Sequence, residues 1–177
     1  MNYYEQESDR LYYRKVTERD IPEWEKFFED PDNYQYLGLP VQGTPNELAN
    51  FWIEKQRSRY EEFGIGHLTA RLKSTNELVG MVGILPRELS FGNFKEIGYS
   101  VLPKFWKQGF ASEMSQQLKH FGYENNMTND GFISMIHPDN IGSMRVAENN
   151  GMKRRGSTFY IDIDVVIFAD FNIIIPE

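Results

Sequence analysis

Cysteine is absent from this chain, so disulfides, a Cys-ligated metal and a cysteine nucleophile are all excluded. Histidine is scarce. His67, His120 and His137 are scattered and show no H-E-x-x-H or other ligand spacing, so no metal site is expected. No apolar run is long enough to span a bilayer, and the opening MNYYEQESDR does not read as a signal peptide. Without export signal or disulfides, the expectation is a cytoplasmic protein with no membrane partner. Positive charge is in deficit: 19 Lys and Arg stand against 26 Asp and Glu, a net −7, which argues against a general nucleic-acid surface. A cationic amine is a partner that an acidic surface tolerates. Two phosphate-binding signatures are missing as well. There is no G-x-x-x-x-G-K-[ST] and no G-x-G-x-x-G after a strand, so a Walker loop and a dinucleotide fingerprint are set aside. Repeats, low-complexity tracts and linkers are lacking too, which leaves one domain over residues 1–177 with 1–9 as a loose polar tail.

What is present is a chain of 177 residues, 40% apolar and 15% aromatic, enough to bury a sizeable core. Its organising stretch is residues 95–113, KEIGYSVLPKFWKQGFASE. Ile97, Tyr99 and Val101 share one parity of a strand over 96–102, with the small Gly98 and Ser100 on the other. Pro103 ends the strand because it has no N–H to give a ladder. A Gly-bearing turn follows and leads into a helix marked by Ala111, Met114, Leu118 and Phe121. A strand, a turn with Gly and a helix start present unpaired backbone N–H groups to an anion, with the helix dipole behind them. Gly109 lets a phosphate approach without meeting a side chain.

The rest of the pattern reads as follows. A strand over 11–16 leads to a helix in which Asp20 caps and Glu23 completes a capping box. A loop over 34–43 precedes a second helix opened by Thr44-Pro45-Asn46-Glu47 and stopped by Gly64. Strands over 67–72 and 78–85 form a hairpin, followed by a loop over 86–93. Beyond the central segment come a strand over 132–136, a helix over 140–149 with Gly151 as its end, a strand over 152–155, a turn over 156–158 and a long strand over 159–167. The order β-α-α-β-β-β-α-β-α-β-β implies an α/β fold with a mixed, mostly antiparallel central sheet and flanking helices. The strands at 96 and 132, joined by a helix, run parallel.

Two blocks together are specific. The first is Glu96-Ile97-Gly98-Tyr99-Ser100-Val101 with Pro103, Trp106, Gly109-Phe110-Ala111 and Glu113. The second runs from His137-Pro138-Asp139-Asn140 through Ser143 and Glu148 to Gly151-Met152. They resemble the acetyl-CoA motif and the following block of the GCN5-related N-acetyltransferases, most closely the ribosomal-protein alanine acetyltransferase branch. The resemblance implies the acyl-CoA N-acyltransferase fold, in which the parallel strand pair splays apart and the pantetheine arm enters the gap. It implies acetyl-CoA as co-substrate and a primary amine as acceptor, either the α-amine of a protein or a small-molecule amine. It places coenzyme contacts at Tyr99, Val101, Lys107, Gln108, Gly109, Phe110, Ala111, Ser112, Asn140 and Ser143, with the Val101 N–H facing the thioester oxygen. Walls of the acceptor pocket would come from Tyr34, Tyr36 and Trp52. Dimerisation is common in that family.

For the chemistry, an amine attacks a thioester only when neutral, so a base must take its proton. Glu96 is the chosen base, its alternative a strand-edge carboxylate that only salt-bridges or attracts the ammonium. Ser143 is placed at the leaving sulfur, or is an ordinary helix serine. Asn140 either caps its helix or bonds the pantetheine. Many family members carry a Tyr where Ala147 stands here, which leaves Ser143 or water to protonate the thiolate. Lys104, Lys107 and Arg145 are either phosphate contacts or solvated charges. Two rival readings remain: a non-catalytic acyl-CoA-binding or sensing domain, and an interaction module on the same fold.

Overall fold

The computed structural model describes residues 2–39 and 42–175; Pro40 and Val41 of the loop expected over 34–43 lie outside the described residues. Among these residues eight strands form one sheet in the order β1-β2-β3-β4-β5-β6-β8-β7. They are β1 (Glu5–Glu7), β2 (Leu11–Lys15), β3 (His67–Leu72), β4 (Leu78–Leu89), β5 (Gly92–Val101), β6 (Phe132–Ile136), β7 (Lys153–Tyr160) and β8 (Ile163–Ala169). The helices are α1 (Ile21–Trp24), α2 (Pro45–Phe63), α3 (Phe110–Glu124) and α4 (Ile141–Asn149). Every strand pair is antiparallel except β5 and β6, which are parallel and joined through α3.

Helix ends follow local chemistry. Thr44 and Glu47 form the expected capping box on α2, and Gly64 closes it in the left-handed conformation at φ +68°. Asn140 caps α4 by accepting from Ser143 N at 3.0 Å. Gly151, at φ +77°, ends α4 with paired bonds from Gly151 N to Glu148 O and Met152 N to Ala147 O, a Schellman arrangement.

Four expectations are corrected. The polar tail is not loose. β1 pairs with β2, and the Tyr3 hydroxyl donates to Gly66 O at 2.5 Å and accepts from Ile84 N at 2.9 Å. Aromatic burial at Tyr3 outweighs the polar composition around it. Asp20 does not cap α1. It is the third residue of a box opened by Thr17, fully buried and bonded by Arg14 and Arg71. The loop over 86–93 is mostly strand, because β4 runs to Leu89 and β5 starts at Gly92. Pro86 is tolerated there because its nitrogen points away from β5, past the end of the β3 pairing at His67–Gly83. Finally the last hairpin turns at Ile161 and Asp162, not at 156–158. Both residues have positive φ, the backbone of a two-residue hairpin turn matched to strand twist.

Cross-strand partners share a face, so the two sides of the sheet can be assigned. Leu85, Glu96, Gly98 and Ser100 lie on one side with His67, since a Cβ at Gly98 would touch Leu85 and come within 3.3 Å of His67 Nε2. α2 covers this side through Gln56, which bonds His67. Ile84, Ile97, Tyr99 and Val101 lie on the other side. α3 packs there so closely that a Cβ at Gly122 would reach 2.3 Å from the Phe132 ring. α4 joins it, with the Tyr99 hydroxyl donating to Ser143 O at 2.8 Å. No helix among the described residues is long and apolar enough to cross a membrane.

Candidate active site

β5 and β6 pair only at Lys95–Phe132 and Glu96–Ile133, then diverge. Beyond that point β5 has a free edge. Leu102 N donates to Val79 O, so by alternation Ile97, Tyr99 and Val101 aim their N–H and C=O groups away from β4, toward the gap. Ser134 Oγ takes Ile97 O at 2.9 Å and Trp106 Nε1 takes Val101 O at 2.7 Å. The N–H groups of Tyr99 and Val101 therefore border the opening, which is what an extended amide chain needs to pair with as an added strand.

The opening belongs to a cleft of about 290 Å³. Of the residues expected at the site, Glu96, Tyr99, Asn140, Ser143, Tyr36 and Trp52 line it. Tyr34 does not: it packs edge-on against Phe28, with ring centroids 5.3 Å apart. Ala147 is fully buried in the core beneath α4, so its position offers the cleft no side chain.

The turn before α3 follows the end of β5, and none of Val101, Lys107, Gln108, Gly109, Phe110, Ala111 and Ser112 is among the cleft-lining residues. Gly109 is its N-cap with φ +80°, and Glu113 N makes the first helical bond to Gly109 O. The N–H groups of Phe110, Ala111 and Ser112 are therefore free within the helix. A Cβ at Gly109 would meet only Arg10 Nη2, at 3.6 Å, so the space on that side of Gly109 is open. A diphosphate fits such an array of donors. Of the nearby cations, Lys104 is ion-paired with Glu77, while Lys107 is exposed with φ +59°. Gln108 is held by its own turn, donating to Lys104 O at 2.9 Å. Arg145 is exposed on α4.

Five contributors escaped the sequence reading. Arg10 clamps the turn before α3: it donates to Gln108 O at 3.0 Å, pairs with Glu113 at 2.6 Å and lies 4.0 Å over the Phe110 ring. Burial alone would raise Glu113, but hydrogen bonds from Arg10 and Ser8 hold its carboxyl below the usual carboxylate range. Arg87 donates to Glu96 Oε2 diagonally across the β4–β5 ladder; the other Glu96 oxygen accepts from Met135 N at 3.4 Å. Reading 86–93 as a loop hid this pair. His67 sits on the floor of the cleft, its Nδ1 2.9 Å from Gln56 Oε1. Because Gln56 Oε1 can only accept, Nδ1 carries the proton and Nε2 keeps a lone pair toward Gly98. Burial, then Arg59, Arg87 and Lys55, push His67 well below its ordinary range, so it stays neutral. Lys55 and Arg59 complete the cleft wall on α2. A periodicity argument sees those two only as polar helix positions.

Comparison with known proteins agrees with this geometry. The acetyltransferase (GNAT) domain family matches residues 10–153. The chain is 31% identical over 147 residues to YkkB, an uncharacterised protein of Bacillus subtilis, covering 82% of this chain and 83% of that one. Among solved structures, a GNAT-family acetyltransferase from Bacillus anthracis is 26% identical with a TM-score of 0.74, covering 93% of this chain and 96% of the other. The fold is also similar to that of RimL, the ribosomal L7/L12 α-N-protein acetyltransferase, in complex with coenzyme A: TM-score 0.72, 19% identity, 93% and 95% covered. Catalysis is thereby favoured over a non-catalytic coenzyme-binding domain. With its splayed strands, open-edged β5 and bare amides at α3, the chain belongs to the GNAT acetyltransferases, the enzymes that transfer the acetyl group of acetyl-CoA to an amine.

Proposed function

We propose that the two substrates meet through the β5–β6 gap from opposite faces of the sheet, in a ternary complex without a covalent enzyme intermediate. The observation that carries this is the gap itself, with free amides and α4 on one side and Glu96 and His67 on the other. Acetyl-CoA supplies an activated acyl group as a thioester. The amides of Phe110, Ala111 and Ser112, steadied by Arg10, bind its diphosphate. The Val101 N–H faces the carbonyl oxygen as charge grows on it. The amine nitrogen forms the new C–N bond, the C–S bond breaks, and the amine's proton passes to Glu96 through water. Ser143 donates a hydrogen bond to the departing thiolate. Asn140 orients the α4 end of the arm while capping the helix.

His67 Nε2 is a second candidate for the proton, favoured by its fixed tautomer and neutral state. Thiol release measured against pH separates the two. Glu96→Gln is expected to lower kcat/KM by roughly 10²-fold, the low end for a general base, with acetyl-CoA affinity unchanged. An unchanged rate in Glu96→Gln with a collapse in His67→Gln would transfer the role to the histidine.

The acceptor is a primary amine, either a protein α-amine, as in the RimL likeness, or a small molecule. The reading places the enzyme in the cytoplasm, where acetyl-CoA is at hand, and takes the chain as one catalytic domain. A homodimer would use the open edge of β7, where Phe159 is two-thirds exposed.

A further inference from the structure

The acceptor side of the cleft holds more positive charge than its own residues neutralise. Lys55 and Arg59 lie one helical turn apart on α2, and Arg87 faces them from β4; Glu96 is the one carboxylate among the described cleft-lining residues. Arg87 is matched by Glu96 and also reaches the Tyr160 hydroxyl. Among the described residues neither Lys55 nor Arg59 has a carboxylate within ion-pair distance. Arg59 bonds only the neutral Gln56, at 2.9 Å, while its neighbour Arg57 takes up Glu18 and Glu54. In a chain of net charge −7 this is a local reversal of sign.

The cluster is assembled against its own repulsion. Lys55 and Arg59 are both lowered, first by burial and then by neighbouring cations. His67, bonded to the same Gln56 oxygen as Arg59, stays neutral and offers them no counter-charge. Charges gathered at such a cost, inside a cleft, mark a place where a ligand supplies the missing partner. That ligand is not the diphosphate of the coenzyme: α2 covers one face of the sheet, whereas the bare amides begin α3 on the other.

We propose that the acceptor carries a carboxylate close to its amine, held by Lys55 and Arg59 while the amine lies toward Glu96. The inference rests on the acetyltransferase reading above and narrows it to zwitterionic acceptors. Such a carboxylate has two sources, the α-carboxylate of a free amino acid and the acidic second residue of a peptide.

Thiol release from acetyl-CoA tests it with matched acceptors. One arm compares glycine, alanine, aspartate, glutamate and phenylalanine with their α-carboxamides. The other compares dipeptide amides whose second residue is Asp or Glu with those bearing Asn or Gln. The carboxylate member of one arm is expected to win by about tenfold or more in kcat/KM, the worth of one charge-assisted hydrogen bond. In Arg59→Gln that preference is expected to shrink to near unity, with the calorimetric Kd for acetyl-CoA unchanged; Lys55→Gln gives an independent variant should the first fail to fold. Equal rates, a preference for carboxamides, or a preference that survives both substitutions would overturn the inference and leave the enzyme reading intact. Acetyl-CoA bound with no thiol released from any acceptor overturns it too. Failure to bind acetyl-CoA at all would remove the underlying reading along with it.

Discussion

Glu96 shows how one side chain can be read correctly for location and incompletely for company. Its place in the strand before the α3 turn was legible, though β5 begins at Gly92 and puts it mid-strand rather than first, and it lines the cleft. Its partner Arg87 was not, because a residue placed in a loop has no register, whereas in β4 it falls diagonally opposite. Breaking that pair is more disruptive than neutralising it. Arg87→Ala leaves a buried carboxylate unpaired and is expected to destabilise by about 3 kcal/mol in urea unfolding. Asp20 follows the same logic away from the cleft. It is fully buried, and Arg14, the Thr17 N–H and Arg71 outweigh the burial that would raise it, so its carboxyl lies below the usual range. A depressed carboxylate contributes its full stability above the unfolded value, about 3.9, and loses it as pH falls through the folded one. Asp20→Asn should therefore lower stability at neutral pH and flatten the fall below about pH 4. His67 acts in the same direction at higher pH. The unfolded chain binds its proton below about 6.5 and the folded chain refuses it, so stability should drop by up to about 1.4 kcal/mol per pH unit below that point. His67→Gln should remove that slope, as seen in unfolding curves taken across pH 5 to 7.

The turn into α3 was legible because its signals are local: Pro103 ends a strand, Gly109 permits a left-handed residue, and an apolar row starts a helix. Its clamp was not legible. Arg10 and Glu113 are far apart in sequence, and no periodicity links them. Arg10→Ala is expected to loosen the turn and weaken acetyl-CoA binding several-fold by calorimetry, with little change in kcat at saturation. The Gly109 position has room for a methyl group, so Gly109→Ala should cost about 1 kcal/mol through its φ of +80° rather than through a clash. Gly122 is the opposite case. Its backbone φ is helical, but Gly122→Ala drives a Cβ into the Phe132 ring, and overpacking of about 1–3 kcal/mol should lower Tm by several degrees. The β1 strand was missed because the polar residues around it obscured two tyrosines, Tyr3 packed edge-on against Phe121 of α3 and Tyr4 against Tyr60 of α2.

Taken together, the sheet is a partition with a slot. One side presents the bare amides at the start of α3, the other a carboxylate, a neutral histidine and three cations, two of them on α2. If the coenzyme bridges that slot only in the folded state, acetyl-CoA at about 100 times its Kd should add about 2.7 kcal/mol of stability, read as a rise in Tm.

The starts of α2, α3 and α4 and the glycine turn into α3 were legible because caps, glycines and apolar periods act over short distances, and the order of the elements they delimit was enough to imply the parallel β5–β6 crossover and a mostly antiparallel sheet. The divergence of β5 from β6, the Arg87–Glu96 pair, the Arg10 clamp and the charge gathered at Lys55 and Arg59 depended on segments that meet only after the chain has closed. Charge and register between distant strands are properties of that closure, because electrostatic attraction and ladder pairing depend on distance in space and leave no period in a linear string.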